Sequence, residues 1–98
     1  MITLKCRSRL WHYPGPGGWH FITLPVRSAR VVKSLLDGKT RGWGSVRVKA
    51  TIGKTSWNTS IFPDRKSNSF VLPVKAEVRT KEEIGDGDTV GLRLDVMV

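Results

Sequence analysis

The sequence predicts a mainly β fold with two short helices, a small barrel built from two halves that each run strand, strand, helix, strand. Three observations predict it. Apolar and polar residues alternate over Ile2 to Leu10, Ser45 to Ile52 and Val90 to Val98, the period of two that buries one strand face and leaves the other in water. Clusters rich in Gly, Pro, Asp and Ser separate these runs at short intervals, as turns between strands require. A segment also recurs. His20-Phe21-Ile22-Thr23-Leu24-Pro25-Val26-Arg27 resembles Ser69-Phe70-Val71-Leu72-Pro73-Val74-Lys75, and each copy precedes a helical stretch, a Gly-containing turn and an alternating strand. Each half alone would leave an apolar face in water, so two halves packed about a pseudo-two-fold axis are expected. Proline suits the first helical turn, so local chemistry alone could also produce the repeated words. The reading gives one domain over residues 1–98, with pseudo-repeats at about 1–53 and 54–98.

The elements follow in order. In the first strand Leu4, Cys6 and Leu10 alternate with Lys5, Arg7 and Arg9. The run Pro14-Gly15-Pro16-Gly17-Gly18 then turns the chain, and Trp19 to Leu24 returns as the second arm of a hairpin. A five-residue loop sets Tyr13 opposite Trp19, His12 opposite His20, Trp11 opposite Phe21 and Leu10 opposite Ile22. That register puts Leu10, Ile22 and Leu24 on one face, as a core requires. After Pro25, Val26 to Leu36 has apolar residues at Val31, Val32, Leu35 and Leu36 and reads as an amphipathic helix stopped by Asp37-Gly38. Gly53-Lys54 is a two-residue turn that sets Trp57 on the return strand, Thr55 to Phe62, opposite Ala50. A polar loop from Pro63 to Ser69, a strand from Phe70 to Pro73, a second helix over Val74 to Ile84 and a turn at Gly85-Asp86-Gly87-Asp88 lead into the last strand.

Composition narrows the function classes. Hydrophobic residues at 39% and charged residues at 26% suit a globular chain, so disorder is not expected. No run approaches the roughly 18 apolar residues of a membrane span, and Met1 to Arg9 lacks the apolar stretch of a signal peptide. A soluble cytoplasmic protein without membrane contact is expected. The single cysteine, Cys6, can form no internal disulfide and no thiolate metal site by itself. Lys and Arg number 17 against 8 Asp and Glu, a formal charge of +9, which favours nucleic acid or another polyanion as partner. The same charge also serves solubility.

Longer stretches carry a resemblance. Trp11 to Pro25, Gly42 to Gly53, Trp57-Asn58-Thr59-Ser60-Ile61-Phe62-Pro63, Leu72-Pro73-Val74-Lys75 with Val78-Arg79, and Gly87-Asp88-Thr89-Val90 look like the bacterial family called domain of unknown function 1905. The resemblance implies a double-split β-barrel, similar to that of AbrB-type regulators and MazE-type antitoxins, with one chain supplying what those proteins build from two. A monomer with internal pseudo-symmetry is therefore expected rather than an obligate dimer. It implies no established activity, and a shared fold does not transfer DNA binding. This sequence departs from the family pattern at Glu83, where a glycine is usual before Ile84.

Candidate binding residues fall into two kinds. The cations form three sets: Lys5, Arg7 and Arg9; Arg27, Arg30, Lys33, Lys39 and Arg41; and Arg47 and Lys49. Convergence of two sets would favour nucleic acid over a merely solvated surface, and Arg27, Arg30 and Lys33, which share one helical side, are the first choice. The aromatic residues Trp11, Tyr13, Trp19 and Phe21 share the strand face of Lys5, Arg7 and Arg9, the combination that single-strand binders use for stacking and phosphate neutralisation. A helix laid on the outside of the barrel would instead cover these rings, and burial is the expected state. Alternatively Trp11, Trp19, Trp43 and Trp57 line a barrel mouth for a small ligand or peptide. His12 and His20 lie side by side, but Cys6 is too distant to be a third ligand, so no metal is predicted. No Gly-x-Ser-x-Gly elbow, phosphate loop or His-Glu-x-x-His occurs, Asp86 and Asp88 read as turn formers, and no catalytic residue or cofactor is assigned.

Overall fold

Two long strands serve two sheets each, and that sharing closes the barrel. The computed structural model describes residues 2–36 and 44–97. Its elements in chain order are β1 (Ile2–His12), β2 (His20–Thr23), α1 (Val26–Leu36), β3 (Val46–Ile52), β4 (Thr55–Asp64), β5 (Ser69–Pro73), α2 (Ala76–Glu82) and β6 (Thr89–Val96). From Ile2 to Arg9, β1 pairs with β6; from Leu10 to His12 it pairs with β2. Likewise β4 pairs with β3 up to Ile61 and with β5 from Phe62 to Asp64. The strand order β1-β2-β5-β4-β3-β6 returns to β1 in a closed antiparallel barrel. Exchanging β1, β2 and β3 with β4, β5 and β6 leaves every neighbour relation unchanged.

Alternation and turn length place the side chains as the sequence requires. Leu10 lies opposite Ile22, Trp11 opposite Phe21 and His12 opposite His20, and the Tyr13 N–H donates to the Trp19 carbonyl at 2.8 Å, so the loop has the expected five residues. Trp57 lies opposite Ala50, a large ring beside a small side chain. The turn between them holds Gly53 at a φ of 58°, and a Cβ there would collide with the Glu82 carboxylate, which accepts a 2.6 Å hydrogen bond from Thr55. The left-handed φ favours glycine there, and any side chain would also have to displace the Glu82 carboxylate. Inward-facing Leu10, Ile22, Val48, Ala50, Ile61, Phe70, Leu72 and Leu94 are fully buried, together with Val32 of α1 and, at 1% exposure, Val78 of α2. The helices thus add Ala29, Val32 and Val78 to the core, with Leu35 and Leu36 packed against it, while Val26 at the start of α1 stays exposed.

Element boundaries differ from expectation where the chain has better hydrogen-bond partners than a helix or loop supplies. The second helix does not span Val74 to Ile84. The Val74 N–H donates to the His20 carbonyl at 2.9 Å and Lys75 is extended, so α2 begins only at Ala76. It ends where Glu83 turns left-handed at a φ of 53°. The expected loop over Pro63 to Ser69 shrinks, because Pro63 and Asp64 continue β4 opposite Phe70 and Ser69. Its remaining turn is held by the Asp64 carboxylate, which accepts from the N–H and the hydroxyl of Ser67. The helix stop at Asp37-Gly38 lies outside the described residues. Among the described residues, no helix is long and apolar enough to cross a membrane.

Candidate functional site

The odd-numbered residues of β1 point outward, and the strands beside β1 decide what joins them. Across β6, Lys5 lies opposite Arg93, and Arg93 lies opposite Thr51 of β3; one row further, Thr3 and Lys49 flank Asp95. The outer face of the β1–β6–β3 sheet therefore carries Lys5, Arg7, Arg9, Arg47, Lys49 and Arg93, all exposed. Two of the three cation sets recognised in the sequence meet here, with Arg93 between them. The guanidinium of Arg7 lies over β6, where a Cβ on Gly91 would meet its Nη1 at 3.7 Å. Among the described residues, Asp95 is the carboxylate on this face. It accepts a 2.6 Å hydrogen bond from Thr3 and sits 3.5 Å from Arg93 Nε. The Thr3 hydroxyl, then the charges of Arg93 and Lys49, hold its carboxyl below the ordinary value against the opposing effect of burial.

The helical set is divided. Arg27 and Arg30 are exposed on α1, whereas the Lys33 ammonium donates to the carbonyl and the side-chain oxygen of Asn68, at 3.0 and 3.2 Å. Lys39, Arg41 and Trp43 lie outside the described residues.

Beyond Arg9 the outward positions of β1 become aromatic as its partner changes from β6 to β2. Trp11 packs on Phe21 with ring centroids 5.3 Å apart, and its indole N–H donates to the Thr23 hydroxyl at 2.9 Å. Trp19 stacks on Phe21 at 6.0 Å with ring planes 6° apart, and Tyr13 meets Phe21 edge-on at 6.2 Å. The expected burial of these rings does not occur. Trp19 is 54% exposed and Tyr13 43%, while Trp11 and Phe21 are half-buried. The cause is the placement of the helices, which pack Ala29, Val32 and Val78 into the core cluster and not over these rings.

The strip continues through Pro73 and Val71 of β5 to Phe62 of β4, which is 44% exposed. Two hollows follow it. One, of about 360 Å³, is lined by Tyr13, Trp19, Phe21, Phe62, Val71 and Pro73. The other, of about 470 Å³, shares Trp19, Phe62 and Pro73 and reaches Trp57, Arg47 and Lys75. Of the tryptophans, Trp19 and Trp57 border a common hollow and Trp11 stands apart. The hairpin loop is fitted to the rings: a Cβ on Gly15 would collide with Tyr13, and one on Gly17 would come within 2.9 Å of the Trp19 indole.

The remaining chemical groups are engaged locally. The rings of His12 and His20 lie 4.8 Å apart. His20 Nδ1 donates to the Gly18 carbonyl at 2.9 Å, so its Nε2 faces Arg79 Nη1 at 3.5 Å as an acceptor. Asp86 accepts from the backbone N–H of His12 and Asp88 from that of Gly85, the work of turn residues. Burial pushes the Cys6 thiol up, against a smaller opposing pull from Ser28, so it stays protonated at neutral pH. Among the described residues, no group of three or more His, Cys, Asp and Glu is placed to hold a metal ion.

Sequence reasoning missed Arg93, Phe62, Lys75 and Pro73 as members of these faces. Arg93 and Phe62 were visible as outward positions of alternating strands, but their neighbours were not.

The order and spacing of these segments match a family model described as Domain of unknown function (DUF1905) over residues 7–94. The chain belongs to this family. The span shared with the DUF1905 model contains Arg7, Arg9, Arg47, Lys49 and Arg93 of the basic face and every ring of the aromatic strip; Lys5 falls before it. No curated protein matches the chain.

Proposed function

We propose that this DUF1905 domain is a non-catalytic binding module for a polyanion, nucleic acid foremost, which it holds on the outer face of the β1–β6–β3 sheet. The observation that carries this reading is the spread of six exposed cations over one sheet face, where the carboxylate among the described residues, Asp95, is already engaged by Thr3 and Arg93. A sheet face so unbalanced attracts a chain of phosphates through its summed field and gains further from release of their counterions. Arginine, which provides four of the six, can also donate two parallel hydrogen bonds to one phosphate. On this reading the domain acts as a monomer in the cytoplasm.

Fluorescence anisotropy of labelled DNA and RNA, titrated from about 50 to 200 mM salt, tests the proposal. Affinity should fall with a log-log slope near −0.9 per duplex phosphate contacted. Replacing Lys5, Arg7 and Arg9 by Ala should flatten that slope more than replacing Arg27 and Arg30. Absence of binding at the lowest salt would overturn the proposal.

A further inference from the structure

The two hollows beside Trp19 differ from the basic face in what they could recognise. Both have Trp, Phe and Pro in their walls, the smaller adds Tyr13, and the larger adds Asn58, Thr59 and Ser60; among the described residues no carboxylate borders either one, and Arg47 and Lys75 line the larger. Arg47 belongs to both regions. It lies two residues from Lys49 along β3 on the basic face, and it faces Ser60 of β4 at the rim of the hollow. A polyanion that crosses the sheet is therefore delivered by Arg47 to a set of exposed rings.

The rings are held ready for a planar partner. Trp19 lies parallel on Phe21, Gly17 sits against its indole, and more than half of the side chain remains in water. Phe62 stands on the other lip, 44% exposed, with Pro73 and Val71 between. An apolar hollow of rings that adjoins a larger one lined in part by Arg47 and Lys75 suits a ligand that is flat and aromatic in one part and anionic in another. Unpaired nucleotides have that composition. In a duplex the base faces are stacked on one another and cannot enter such a hollow.

We infer that the groove bordered by Trp19, Phe62 and Pro73, with Arg47 and Lys75 at its rim, takes unpaired bases, so that the domain binds single-stranded nucleic acid in preference to duplex. This rests on the polyanion reading above. Phosphates lie along Arg47, Lys49 and the β1 cations while a base stacks on the exposed side of Trp19. Stacking of this kind tolerates any sequence, since every base has a π-face.

The test uses the full chain with three probes: labelled oligothymidylate of about 12 nucleotides, a duplex of the same length, and heparin. Oligothymidylate should bind more tightly than duplex and quench tryptophan emission. Trp19→Ala and Phe62→Ala, both at exposed positions, should each weaken oligothymidylate about ten- to a hundredfold and leave duplex and heparin affinity within about twofold, as expected of sites outside the phosphate contacts. Equal affinity for single strand and duplex, with no effect of either variant, would overturn this inference and leave the polyanion reading standing. No binding of any of the three probes would overturn both. A dimer in sedimentation that Trp19→Ala dissolves would also overturn the inference, since a second copy would then occupy the groove.

Discussion

The two outer faces of the barrel are drawn on the same two long strands. Along β1, Lys5, Arg7 and Arg9 face outward beside β6, and Trp11, on the same side, faces outward beside β2. Along β4, Asn58 and Ser60 lie beside β3, and Phe62 lies beside β5. The chemistry changes where the partner strand changes. Inside the barrel no such division exists, because inward residues beside either partner join one apolar cluster. A strand shared between two sheets can thus present two different surfaces without any break in its alternation, and the core neither helps nor hinders the choice.

That independence can be broken most severely from the core. Phe70 is fully buried on β5, and Phe70→Ala should cost about 3–5 kcal/mol, a large part of the stability of a domain this size. Urea unfolding should show the loss, and both faces should lose binding together. Removing Lys5, Arg7 and Arg9 together should act on one face alone. With a −0.9 slope, each phosphate contact is worth about eightfold at 0.1 M salt, so the triple Ala variant should lose several-hundred-fold in polyanion affinity. Its urea midpoint should stay near that of the parent, and a matching fall in stability would show that the faces and core are coupled after all.

The aromatic face should respond in the opposite sense. Trp11→Phe leaves a smaller aromatic ring and removes the hydrogen bond to Thr23, which should cost at least about 1 kcal/mol in unfolding while heparin affinity is unchanged. Glu83→Gly lies on neither face. It relieves a left-handed φ of 53° and should stabilise by about 0.5–1 kcal/mol, a rise in melting temperature with no change in ligand binding. The smallest effect should come from Asp95. Its folded carboxyl titrates below the unfolded value near 3.9, so ionised Asp95 stabilises the fold at neutral pH. That contribution should fade only as pH falls below about 4, and Asp95→Asn should lack this component in urea titrations across that window.

The barrel was largely legible in the sequence because its rules are local. Two residues at Gly53-Lys54 and five between Tyr13 and Trp19 fix two registers outright, and alternation then settles which side chains turn inward. Helix ends were less legible. Whether Val74 begins α2 depends on the carbonyl of His20, far away in sequence. The candidate site was read only in pieces for the same reason. Lys5, Arg7, Arg9, Arg47 and Lys49 were named as separate sets, but only the position of β6 between β1 and β3 joins them through Arg93. The rings of the hairpin were found together, and their exposure could not be, because it depends on where the two helices come to rest.

The pairing of β1 with β6 also governs how the domain is made. Thr3 and Asp95, hydrogen-bonded to one another, are 92 positions apart in the chain, so the barrel cannot close until its final strand is synthesised. Contacts that distant cost loop-closure entropy before they return any stability, and they place this domain among slow folders. Because Ile2 and Val96 end up on adjacent strands, a short linker between them, with new termini cut in the turn at Arg65 to Asn68, would turn this long-range strand pairing into a hairpin. Such a rearranged chain should reach the same barrel by a faster route.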